Sequence, residues 1–238
     1  MKVRGGRNLY GHPIGVLVLD TVFPRIPGDI GHAGTFPFPV LYHKVRNASP
    51  SRVVREGDPA LLDGFIQGAR TLEAAGVLAI TTSCGFLAMF QRQLTEAVRV
   101  PVFTSALQLV PLVSRMLAPD RAVGILTVEG RALGPRHLAG AGITEDIPVV
   151  MWGLERGQAF TPVLLDNELE LDVDAARREN VEAAREMLER HPEVGAIVLE
   201  CTNMPPYAAA IREATGLPVF DITTMIRMVY AALVPPVY

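Results

Sequence analysis

Cys84 and Cys201 are the two thiols of this 238-residue chain, and their surroundings repeat. Cys84 is followed 16 residues later by Val100-Pro101-Val102-Phe103, and Cys201 is followed 16 residues later by Leu217-Pro218-Val219-Phe220. Each thiol stands where an apolar strand gives way to a helix, after Thr81-Thr82-Ser83 in one case and after Glu200 in the other. The unpaired amides at a helix N-terminus favour a thiolate and lower the pKa of a cysteine from about 8.5, so each thiol is expected to be usable as a base. Two such groups on opposite walls of a cleft can hold one carbon between them. One removes a proton while the other delivers one from the opposite face, and a stereocentre inverts.

The elements that must position the thiols are short buried runs alternating with longer amphipathic segments. Strands are predicted at 14–19, 77–80, 100–103, 122–126, 149–151, 196–199 and 217–220. Helices are predicted at about 60–75, 85–98, 105–117, 130–140, 173–190, 204–215 and 222–233. Gly15-Val16-Leu17-Val18-Leu19-Asp20 also matches Gly124-Ile125-Leu126-Thr127-Val128-Glu129, displaced by 109 residues where the cysteines are displaced by 117. The expected fold is α/β: two pseudosymmetric doubly wound parallel-sheet lobes with the active site in the interlobe cleft, outside the carboxyl ends of the strands. Residues 1–117 plus 218–238 form one expected lobe and 118–217 the other.

Composition closes off other classes. The chain carries 22 Lys and Arg against 25 Asp and Glu, a formal charge of −3, which supplies no basic surface for nucleic acid. Hydrophobic residues make up 49% and charged residues 20%, which excludes intrinsic disorder. Two cysteines outside any CxxC pair suit neither a disulfide scaffold nor a thiolate zinc site. No export signal and no run of 18 apolar residues is visible, so a cytoplasmic protein with free thiols and no membrane partner is expected. The five histidines, His12, His32, His43, His137 and His191, lack a duplicated placement, which speaks against Cys-His hydrolysis. No phosphate-cradling glycine motif occurs, and neither lysine, Lys2 or Lys44, stands at a strand-to-helix turn. Chemistry without a cofactor is expected.

The segments Thr81-Thr82-Ser83-Cys84-Gly85-Phe86-Leu87-Ala88, Leu199-Glu200-Cys201-Thr202-Asn203-Met204 and Gly124-Ile125-Leu126-Thr127 resemble the aspartate/glutamate racemase superfamily, along essentially the whole chain. That family holds cofactor-independent amino acid racemases, hydantoin racemases, maleate isomerases and arylmalonate decarboxylases. The resemblance implies Cys84 and Cys201 as paired acid/base thiols, Thr202 as a carboxylate holder through its amide and hydroxyl, and Asp20 as the acidic residue ending the first strand. Thr127 and Asn203 join the implied substrate site. Glutamate racemases place Asn-Thr after the first cysteine and Thr-His after the second. Here Gly85-Phe86 and Thr202-Asn203 stand instead, pointing to a less polar substrate or to carboxylate binding by the Gly85 and Phe86 amides. Retention of both thiols argues against the decarboxylase branch, which keeps the second cysteine alone.

The segment from Asp20 to Pro50 is rich in Pro and Gly yet carries Phe23, Ile26, Ile30, Phe36 and Phe38, and reads as an ordered loop and edge segment closing over the cleft. Arg25 in it is a candidate carboxylate clamp or a structural crossover residue. Ser83 is a candidate substrate contact, and Thr104 and Ser105 read as helix caps. Glu200 either tunes the neighbouring thiol or points to the other face of its strand. The expected function is a racemase or epimerase of a small carboxylate or hydantoin-like substrate. Alternatives are a maleate-type isomerase with a covalent cysteine adduct and a non-catalytic small-molecule binder. The apolar run 228–238 suggests a homodimer contact.

Overall fold

The computed structural model describes residue 2 and residues 4–236 of the chain. Two four-stranded parallel sheets carry the same strand order. In the first, β2 (Val40–Lys44), β1 (Ile14–Val18), β3 (Ala79–Thr82) and β4 (Val102–Phe103) lie side by side. In the second the sequence is β6 (Val149–Gly153), β5 (Ala122–Thr127), β7 (Val194–Leu199) and β8 (Val219–Phe220). All pairings are parallel, so each connection carries a helix or long loop across a sheet face. The helices are α1 (Leu62–Ala75), α2 (Gln91–Ala97), α3 (Val110–Ser114), α4 (Pro135–Gly140), α5 (Thr161–Leu165), α6 (Val173–Arg190), α7 (Ala208–Thr215) and α8 (Ile222–Leu233).

The central strands are buried but for Val18 of β1 and Gly195 of β7, as helices on both faces require; every residue of β3 and β5 is buried. The duplication extends to helix packing. Gly15 of β1 lies under Leu72 of α1, and its counterpart Gly124 of β5 lies under Met187 of α6; a Cβ at either would press on those side chains. The absent side chain lets the long helix of each lobe seat close to its sheet.

The segment 20–50 is partly a strand: Val40–Lys44 pairs with β1 as a half-buried edge. Strand β8, which the sequence assigned with residues 218–238 to the first lobe, instead completes the second sheet beside β7. The chain therefore returns after Phe220, where α8 packs on the 3₁₀ turn Ala106–Leu109 of the first lobe. Near its end Tyr230 stacks on Phe38 at 3.8 Å between ring centres, while Met228 and Val234 are exposed. The last two residues of the apolar run 228–238 lie outside the described residues.

Candidate active site

Cys84 follows β3 and Cys201 follows β7, each at the carboxyl end of a central strand and each opening a 3₁₀ turn or tight bend. Matched backbone bonds set both. The amide of Ser83 donates to the carbonyl of Leu17 at 2.9 Å, and the amide of Glu200, its counterpart, donates to Leu126 at 2.8 Å. Thr82 fixes the first turn further, its one hydroxyl proton shared between the carbonyls of Cys84 at 2.9 Å and Thr104 at 2.7 Å.

The two turns pack crosswise. Thr202, after Cys201, donates its hydroxyl to the carbonyl of Ser83, before Cys84, at 2.6 Å. Gly85, after Cys84, lies against Glu200, before Cys201, so closely that a Cβ there would overlap the Glu200 carboxyl and carbonyl oxygens. Between the turns is a cavity of about 30 Å³, room for a water or two. Leu19, Phe23, Val54, Val128, Leu164 and Leu165 give it an apolar lining, and Cys84, Cys201, Ser83, Gly85, Phe86, Glu200, Thr202 and Asn203 complete it. No cationic side chain among the described residues lines it.

The thiols do not show the lowered pKa expected of helix starts. Burial, then the neighbouring Glu200 carboxyl, pushes both well above the ordinary cysteine value. The backbone amides of Phe86 and Leu87 oppose this at Cys84, and that of Asn203 at Cys201, but a short 3₁₀ turn supplies too few aligned amides to offset desolvation. Arg25 favours the Cys84 thiolate, whereas Asp29 and Cys84 itself disfavour that of Cys201. Glu200 is fully buried, accepts a hydrogen bond from Thr127 Oγ1 at 2.8 Å, and is pushed up to about 8 by desolvation.

The remaining expected site residues fall in three places. Ser83, Gly85, Phe86, Thr202 and Asn203 line the cavity. The hydroxyl of Ser83 accepts from the amide of Leu19 at 3.0 Å, and that of Thr202 is spent across the lobes. Thr127 is buried behind the wall and reaches the site only through Glu200. Asp20 stands outside the cavity, in a surface ion pair with Lys44 at 2.9 Å, because edge strand β2 brings that lysine beside the end of β1. Arg25 is not a free clamp: it pairs with Asp29 at 2.8 Å, donates to Thr21 at 3.1 Å and stacks over Phe23. Ser105 caps the turn that follows it, whereas Thr104 bonds to Gln91.

Asp29 is the residue that sequence reasoning passed over. Nearly fully buried, it accepts from Arg25 and from the amide of Gly31, and from the side-chain amide of Asn203 in the other lobe. Asn203 in turn accepts from the Cys201 thiol at 3.6 Å. Nothing in the local sequence Gly28-Asp29-Ile30 distinguishes it from a turn aspartate. His137 of α4 was likewise set aside, and it holds the Phe86 ring edge-on at 5.2 Å.

A family model described as Asp/Glu/Hydantoin racemase matches residues 39–227. The chain is 30% identical over 221 residues to a dimethylsulfoniopropionate lyase of Durusdinium sp. clade D, covering 90% of this chain and 72% of that one. It is 33% identical over 229 residues to dimethylsulfoniopropionate lyase 7 of Emiliania huxleyi, covering 92% and 67%, and 33% identical over 233 residues to lyase 6 of the same organism, covering 93% and 60%. The chain thus spans some 60–72% of the length of these relatives. Among solved structures, the allantoin racemase of Klebsiella pneumoniae superposes with a TM-score of 0.62 at 17% identity, over 92% of this chain and 88% of that one. An arylmalonate decarboxylase superposes with a TM-score of 0.58 at 16% identity, over 93% and 92%. The chain belongs to the Asp/Glu/hydantoin racemase family.

Proposed function

We propose that this family member is a lyase that removes a proton from the carbon next to a carboxylate and expels a sulfonium leaving group from the next carbon, with dimethylsulfoniopropionate as its substrate. The observation that carries the reading is a cavity that combines two thiols with an apolar lining that offers no cation and few acceptors. A substrate ammonium brings N–H donors that such a wall leaves unsatisfied. A dimethylsulfonium is a cation clothed in methyl groups, suited to the apolar side chains of Leu19, Val54, Leu164 and Phe23. Its charge also answers the obstacle the thiols present, since a cation beside a desolvated sulfur favours the thiolate. The relatives' names point the same way.

The Cys84 thiolate takes the proton from Cα. The electron pair left on Cα becomes the Cα–Cβ π bond, and the Cβ–S bond breaks with its pair going to sulfur. Dimethyl sulfide and acrylate result, and the Cys84 proton passes to solvent before the next turnover. Cys201, held protonated by the Asp29–Asn203 side of the site, stays a thiol throughout.

A second thiol at the matching position of the opposite lobe also suits two-base racemisation, with Cys84 and Cys201 exchanging roles. Headspace chromatography for dimethyl sulfide, with proton NMR in deuterated water, separates the two. The lyase releases dimethyl sulfide and forms acrylate, and Cys84→Ser lowers turnover at least 100-fold. Deuterium entering Cα of a chiral carboxylate, with no sulfide released from dimethylsulfoniopropionate, makes the racemase reading the correct one.

A further inference from the structure

The crosswise packing of the two turns is unequal in a way the duplicated fold does not require. Ser83 and Glu200 are equivalent positions, one residue before each thiol, and Gly85 and Thr202 are equivalent positions one residue after. Thr202 packs on the smaller Ser83, and the absent side chain of Gly85 leaves the space that the Glu200 carboxyl occupies. One carboxyl oxygen, Oε2, accepts from Thr127. The other, Oε1, is buried against Gly85 with no hydrogen-bond partner, in a residue that lines the cavity. A buried polar atom without a partner is costly, so its presence calls for an explanation.

The other polar side chains of the wall are committed, as are the amides nearest the sulfurs. The amides of Phe86 and Asn203 point at the two sulfurs, the Thr202 hydroxyl at Ser83, the Ser83 hydroxyl at Leu19, and the Asn203 side chain at Asp29. Yet any substrate deprotonated beside a carboxylate moves negative charge onto carboxylate oxygens, and such charge needs donors aimed at it. We propose that Glu200 is a catalytic acid of this site, its neutral carboxyl donating from Oε1 to the substrate carboxylate as charge moves onto it from Cα. The inference rests on the proposed substrate class only to the extent that elimination and racemisation share this step.

Charge balance requires the neutral form. Facing Glu200 are Cys84 from the first lobe and Cys201 from its own, with Asp29 and Arg25 beyond them pairing with each other, and Thr127 of β5 behind. An ionised Glu200 beside a thiolate and a substrate carboxylate would place three anions in one desolvated pocket. Burial that holds this carboxyl up to about 8 keeps it protonated at neutral pH. A protonated carboxylic acid can then serve as an oxyanion donor, as in ketosteroid isomerase.

Glu200→Gln keeps a neutral donor in nearly the same shape, whereas Glu200→Leu keeps the volume alone. With the confirmed substrate, the Gln variant is expected within about tenfold of the parent turnover and the Leu variant at least 100-fold lower. The parent profile declines above about pH 8, and that decline is absent from the Gln variant. Infrared spectroscopy of the full chain tests the same point without turnover: a protonated-carboxyl band present at pH 7, missing from Glu200→Gln, shifts when acrylate is added. A Gln variant as inactive as the Leu variant, or a carboxyl band that is absent at pH 7 or indifferent to acrylate, overturns the proposal. Loss of lyase turnover in the parent with the band and its shift intact overturns the substrate and leaves the acid role standing.

Discussion

Replacing Glu200 by Gln is expected to stabilise the folded chain, by an amount that grows with pH. The carboxyl is fully buried and titrates near 8 in the fold against an ordinary value of 4.5. Below pH 4.5 both folded and unfolded chains hold the proton and its burial costs nothing through ionisation. As pH rises from 4.5 towards 8 the unfolded chain releases the proton and the folded chain keeps it, so stability falls; above 8 both are ionised and the loss levels off. Each tenfold difference in proton affinity is worth about 1.4 kcal/mol, which places the loss on the order of 3 kcal/mol at pH 7 and about 5 kcal/mol above pH 8. Gln cannot ionise and keeps an acceptor for the Thr127 hydroxyl, so it escapes this loss. Urea unfolding of both proteins at pH 4.5, 7 and 8.5 measures it. The midpoint difference should widen steadily across the three conditions. A difference that does not change with pH would mean that Glu200 titrates as a hydrated carboxylate, and the reading of the site as dry would fail.

Other expectations follow from the same geometry. Gly85→Ala forces a methyl into the Glu200 carboxyl and its immovable backbone oxygen, and chemical denaturation should show a loss of about 1–3 kcal/mol together with lost turnover. Thr202→Val strands the Ser83 carbonyl across the lobes, at about 1–3 kcal/mol in the same assay. Asp29→Ala leaves the Arg25 guanidinium buried without its partner, and a loss of about 3–5 kcal/mol is expected. Asp20→Asn breaks only the half-exposed pair with Lys44, so the denaturation midpoint should stay essentially unchanged. Turnover of that variant should stay within twofold, and a larger fall would return Asp20 to the site.

Much of the fold was visible in the chain because strands buried on both faces are continuous apolar runs, as at Ile14–Val18 and Ala122–Thr127. The long helices Val173–Arg190 and Ile222–Leu233 match the predicted ranges 173–190 and 222–233. Edge strand Val40–Lys44 was visible only as an edge segment, since its half-exposed residues carry neither a clean alternation nor an apolar run. Helix Thr161–Leu165, at five residues, is too short to show a period. At the site, repetition located Cys84 and Cys201 and their neighbours. The environment around them was not legible: a helix start predicts a lowered thiol pKa, and only packing reveals that desolvation exceeds it. Arg25 and Asp20 illustrate the same gap, since their partners Asp29 and Lys44 are set by how the loop 20–50 folds back on β1.

The volume between the turns has a kinetic meaning. A space that holds a water or two is smaller than the proposed zwitterionic substrate, so binding it is expected to require the lobes and the 20–50 loop to part. The links that must yield include the Thr202–Ser83 and Asn203–Asp29 hydrogen bonds and, at the rim, the exposed Arg55–Asp166 ion pair and the bond from the Val22 amide to Asn167. Association with the proposed substrate is expected to be governed by the rate of opening and to saturate with ligand concentration, which stopped-flow binding measures.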